Sequence, residues 1–267
     1  MSVKIKVQPK GANDTSENTK NTGTAKVLAG KIYVLSVFVA PHLLPWLPSD
    51  IERHKQKVFE SERWLTAQAL RYGVHVEFVN SAFGSDGSFV DDEFMRFFNM
   101  QHAFEYPTKV LLKMGFQSKD AFVDWVRTHT NCDQFLVIVF ANYWGRSFSS
   151  PINKLSHAYN PHENNVESCL IYRYHMNPNN FETPTAVIAH EILHLFGAWD
   201  LYELDYSDHN RACKTSELFP NSIMFDSIRD IWVTEIDELT AWLVGLKKEG
   251  KDWYRWFEPN KGIYESY

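Results

Sequence analysis

The stretch TPTAVIAHEILHLFGAWD, Thr183–Asp200, carries two histidines, a glutamate, a glycine and an aspartate at fixed offsets within an apolar run. His190 and His194 are one helical turn apart, so on a helix both imidazoles leave the same face. Thr183 suits an N-cap and Pro184 the first helical position, which predicts a helix running to Gly197. A glycine there can adopt positive φ, turn the chain sharply and bring Asp200 back beside the two histidines. Two imidazoles and a carboxylate so placed suit a single Zn2+ that keeps its fourth position open. Glu191, next to His190 around the helix, is positioned for a water on the metal: zinc lowers that water's pKa and the carboxylate takes its proton. The competing account, polar residues scattered on a core helix, leaves the offsets of Gly197 and Asp200 unexplained. His209 is the alternative third ligand, at a less suitable offset.

Read as HExxHxxGxxD, the residues His190, Glu191, His194, Gly197 and Asp200 resemble the metzincin metallopeptidases, in the variant whose third ligand is aspartate. Histidine is the commoner third ligand of that clan. An aspartate lowers the net positive charge of the site and raises the pKa of the water there. Downstream, NSIMFDS (Asn221–Ser227) resembles the turn that sets a methionine beneath the metal, with Met224 as that methionine. The likeness covers the topology from about Lys31 to Lys248, but specific motifs only from Thr183 to Asp226. It implies an α+β, zincin-like fold: a mixed, twisted β-sheet covered by helices, with an active-site helix and a C-terminal helix. It also implies a zinc-dependent endopeptidase with one catalytic zinc. In such enzymes the strand before the active-site helix borders the cleft and pairs with extended substrate. Here that strand is CLIYRY (Cys169–Tyr174), which makes Leu170 and Tyr172 substrate-binding candidates by β-augmentation.

Two other functions compete. A zincin-fold binding protein without turnover is disfavoured by the intact Glu191, and a metal-dependent hydrolase of a small amide lacks the second metal cluster of two-metal exopeptidases. Some metzincins carry a tyrosine two residues after the turn methionine, where this chain has Asp226. Tyr202 and Tyr206 read as exposed loop aromatics, with a phenol that polarises a carbonyl as the alternative. Glu203, Asp205 and Asp208 read as a solvated acidic loop rather than a calcium site, and His157 and His162 as surface histidines. The N-terminal segment has no cysteine to cap the metal, and Asp14 is a weak substitute.

Composition bounds these readings. The 267 residues are 44% hydrophobic, enough for a substantial core, and carry a net charge of −6. That mildly acidic balance has no footprint for nucleic acid or anionic membrane, so the expected partners are peptide or protein substrates. Cys132, Cys169 and Cys213 are odd in number and far apart, and read as reduced thiols rather than a disulfide framework. Neither a signal-like h-region nor an apolar run of about 18 residues is present, which predicts a cytoplasmic protein or one exported by a signal-independent route.

Along the chain, residues 1–27 read as a flexible polar tail and 28–267 as a single catalytic domain. Lys31–Ala40 reads as a buried strand, Ser49 with Glu52 as a capping box before a helix to Arg71, and Ile51, Val58 and Leu65 as its apolar face. Val74–Val79 reads as a second strand followed by a loop, and Phe94–Phe116 has no assignable pattern. Ser118 caps a helix bearing Phe122, Val123 and Val126. Gln134–Ala141 and Ser168–Met176 read as strands around a polar loop, Arg146–Val166. Thr234 with Asp237 is predicted to cap a last helix bearing Ile236, Leu239 and Leu243.

Overall fold

In a computed structural model that describes residues 21–87, 89–91, 100–152, 159–175, 181–202 and 209–258 (backbone alone for 100–105), five strands form one mixed sheet. β1 (Gly30–Val39) lies between β2 (Val76–Phe83) and β3 (Gln134–Gly145), and β5 (Ser168–His175) follows β3, all parallel. β4 (Phe148–Ser150) runs antiparallel to β5 and closes the order β2-β1-β3-β5-β4. β1 and β3 read as unbroken apolar runs because helices cover both faces. Ile32, Val34 and Phe38 with Leu136, Ile138 and Phe140 face one core cluster. The alternate residues, among them Leu35, Val37, Val137 and Val139, face the other.

The first cluster is closed by α1 (Pro48–Arg71) and by α4 (Thr185–Leu195), the helix of the opening stretch. Ile51, Val58 and Leu65 are buried as their spacing predicts. α2 (Met100–Lys113) and α3 (Lys119–Thr130) supply Val110, Leu111, Phe122, Val123 and Val126 to the second. α2 resolves most of the aromatic segment that had no assignable pattern; residues 94–99 lie outside the described ones. α5 (His209–Leu218) and α6 (Glu238–Leu243) follow the site.

Several boundaries differ from the sequence reading. α1 starts after Leu47, so Ser49 sits inside the helix and makes no capping box; Pro48, with φ already helical, opens it instead. β2 continues through Ala82 to Phe83 because parallel pairing with β1 continues to Val37. The polar run Arg146–Val166, read as a loop, contains β4, a strand too short to show alternation. At α6 the cap is Asp237 alone, which accepts from the Leu239 and Thr240 amides and from two hydroxyls, Ser222 and Thr240; Thr234 lies one turn earlier.

The end of the polar N-terminal segment makes specific contacts. Thr22 and Thr24 bond the backbone of Ile152 and Asn165, Ala25 is fully buried, and its amide donates to Glu167 Oε2 at 2.8 Å. The other Glu167 oxygen accepts from the Ile152 amide at 2.8 Å. Residues 21–27 are therefore packed chain. The three cysteines are free thiols, Cys132 and Cys169 buried and Cys213 exposed.

Candidate metal centre

α4 ends as its sequence dictates. Gly197 has φ +99°, its amide donates to the His194 carbonyl, and the Ala198 amide reaches back to the Leu193 carbonyl. These paired bonds are the Schellman arrangement, which satisfies the last carbonyls and needs a residue tolerant of positive φ. At the other end the expected Thr183 cap is absent: its hydroxyl donates to the Tyr172 carbonyl, and Pro184 precedes the first helical residue. α1 holds this entry instead, with Lys57 Nζ 2.8 Å from the Thr183 carbonyl and 3.0 Å from Glu182.

The turn after Gly197 delivers Asp200 to the histidines. His190 Nε2 and His194 Nε2 are 3.1 Å apart, and Asp200 Oδ1 lies 3.2 Å and 3.1 Å from them. Each ring is oriented through its second nitrogen: His194 Nδ1 is 2.8 Å from the Ala198 carbonyl and His190 Nδ1 is 3.1 Å from that of Ile223. A carbonyl can only accept, so both Nδ1 atoms carry the proton and both Nε2 lone pairs aim at the carboxylate oxygen. With both rings neutral, three acceptors face one another, an arrangement that only a cation relieves, whether a metal ion or a proton. Atoms spaced this way lie on a sphere of about 2 Å radius, the bond length zinc makes to imidazole nitrogen and carboxylate oxygen. The donor set and its spacing fit the ion.

Without an ion, a proton takes the cation's place between His194 and Asp200. Burial alone would lower the His194 pKa, but the Asp200 carboxylate overrides it and holds it up to about 9. Burial likewise opposes the charge on Asp200, yet the two imidazoles keep it well below the usual carboxylate range. The pocket favours positive charge at the focus of the three side chains.

The backbone of residues 222–226 supports two parts of this cluster at once. The Ile223 carbonyl orients His190, and the Met224 carbonyl accepts from the Leu201 amide, next to Asp200. Met224 itself is fully buried in the first core cluster. Asp226 pairs with Arg229 at 2.7 Å.

Glu191 is 5% exposed and points to the edge strand. The Ser149 hydroxyl lies 2.7 Å from the Glu191 carbonyl oxygen and 2.8 Å from its Oε2. Sequence reading missed this serine, because β4 brings it from 42 positions away by register alone. It also missed Arg146, whose Nη2 donates to the Tyr202 hydroxyl at 2.8 Å. Tyr202 is not a loose loop aromatic: it is partly buried, with its ring 6.0 Å from that of His190.

No protein-family model matches the chain, and no curated protein matches it.

The substrate-binding candidates Leu170 and Tyr172 both stand on β5. β5 is an interior strand over Ser168–Leu170, bonded to β3 on one side and β4 on the other, so it has no free edge there. Leu170 is 2% exposed in the second core cluster, on the face away from α4. Tyr172 packs on that face too, its ring so close over Gly145 that a Cβ there would fall within 2.6 Å of it. Among the other candidates, His209 stands at the start of α5 beside Cys213 and outside the donor cluster, and His162 is exposed. Asp14, His157, Glu203, Asp205, Tyr206 and Asp208 lie outside the described residues.

Proposed function

We propose that the chain is a zinc-dependent endopeptidase of zincin-like architecture, with His190, His194 and Asp200 as ligands and Glu191 as general base. The observation that carries the reading is the convergence of two Nε2 atoms and one carboxylate oxygen at 3.1–3.2 Å, with both Nδ1 protons assigned to backbone carbonyls. Zinc bound there supplies a Lewis acid that acidifies a water and polarises a scissile carbonyl.

The chain's own groups do the rest. Glu191 accepts the water's proton and returns it to the nitrogen of the departing amine. Ser149 restrains the Glu191 carboxylate through Oε2, which leaves Oε1 for that transfer. The Met224 turn fixes the imidazole of His190 and the chain beside Asp200, the role a Met-turn would have. β4 is the terminal strand among the described residues and carries Ser149, so an extended peptide would add to the sheet there and not at β5. A silent binding protein would have no use for a buried base held in place by a serine.

Metal analysis paired with a peptidase assay tests this. Wild type and Glu191→Ala are each expected to retain about one zinc per chain, with hydrolysis only in the wild type. Equal cleavage by both would remove Glu191 as the base.

A further inference from the structure

A cation stands at the rim of the candidate centre. Arg146 occupies the turn between β3 and β4, where Gly145 is pressed beneath the Tyr172 ring and fixes the path of the chain. Its guanidinium lies 5.7 Å from the Tyr202 ring centroid and donates to that hydroxyl. Tyr202 in turn lies against His190. Arg146 is exposed as a residue, and among the described residues it forms no ion pair; its contact is Tyr202. Of the five N–H donors on a guanidinium, one goes to Tyr202, and among the described residues the others meet no acceptor. Partial cover of its head group works against its charge, but Tyr202, Asp200 and Glu191 hold its pKa above the ordinary arginine value.

A peptide added along β4 passes this turn. The two ring separations put the guanidinium no more than about 12 Å from the His190 ring, and an extended chain advances about 3.3 Å per residue, so Arg146 reaches within about three residues of the scissile bond. A planar donor fork pre-positioned by one hydrogen bond is suited to a carboxylate, which it can take bidentately. We infer that Arg146 is a specificity-determining residue that selects peptides bearing a carboxylate close to the scissile bond, from an acidic side chain or from the chain end. This rests on the peptidase reading above and names its substrate class.

Matched quenched peptides that place Glu, Gln or Lys at each of the three positions on either side of the cleaved bond test it, each made with a free and an amidated C-terminus. For wild type, kcat/KM is expected to be about tenfold higher with Glu than with Gln at one position at least, as for a charge-assisted pair at a partly exposed site. A preference that follows the free C-terminus instead assigns the carboxylate to the chain end. The Glu-to-Gln ratio should fall to near unity in Arg146→Gln, and Arg146→Glu should come to prefer Lys at that position. A merely structural arginine would not invert selectivity, and zinc content reports whether each variant is folded. Cleavage with no preference at any position, or a preference that survives Arg146→Gln, overturns this inference alone. No cleavage of any peptide by wild type overturns the peptidase reading and this inference with it.

Discussion

Asp200 and Ser149 show how far single residues were legible. His190, Glu191, His194 and Asp200 lie within eleven positions on one helix and its turn, so local periodicity alone predicts their convergence. Ser149 and Arg146 reach the same place through strand register, which no local pattern encodes. The interior position of β5 over Ser168–Leu170 is hidden for a related reason: an apolar run looks the same whether its strand is an edge or an interior one. Asp200→Ala should weaken zinc retention by more than the 10–100-fold typical of residues behind the ligands, read by competition with a chromophoric chelator. Unchanged retention would return His209 to consideration. Ser149→Ala should lower kcat about tenfold, the worth of one hydrogen bond to a charged group, while KM and zinc content stay as in wild type. A loss of zinc in that variant would show that the serine supports the ligands and not the base.

Among the elements, the end of α4 was the most legible, and helix starts were legible unevenly: Ser118 caps α3 as read, its hydroxyl accepting from the Ala121 amide. Gly197 was predicted to turn the chain through positive φ and does, with two backbone bonds closing the helix. Ser49, Thr183 and Thr234 all read as caps and none caps a helix: helix starts are set by what the preceding loop packs against, and Thr183 spends its hydroxyl on β5. β4 was hidden because three residues cannot display alternation. A Cβ at position 197 would meet nothing nearer than the Leu243 carbonyl at 3.6 Å, so Gly197→Ala carries backbone strain without a clash. Its expected cost is about 1–2 kcal/mol in urea unfolding, with zinc affinity reduced as well because the same turn aims Asp200. Full zinc affinity in a destabilised variant would separate the turn from the site.

Across the whole molecule, two buried carboxylates make stability depend on pH. Burial raises Glu167 to about 8, against amide donors on both oxygens, and Glu62 to about 7, where Asn80 donates to one oxygen. Both folded values exceed the ordinary 4.5, so the folded chain binds more protons than the unfolded chain between them. Stability from these groups is therefore fully present below that range and lost as pH rises through 7 to 8. Glu62→Gln with Glu167→Gln should flatten the fall in melting temperature over that window, and an unchanged slope would mean both groups are ionised in the fold. Glu167 also ties residues 21–27 to β5, a long-range contact that the polar composition of that segment concealed. The most direct test of the account as a whole is X-ray absorption at the zinc edge on the full chain. It predicts one ion bound by two imidazole nitrogens and a carboxylate oxygen, with the carboxylate contribution gone in Asp200→Ala. A zinc-free chain that cannot be loaded, or an ion whose ligands are unaltered by that substitution, would contradict it.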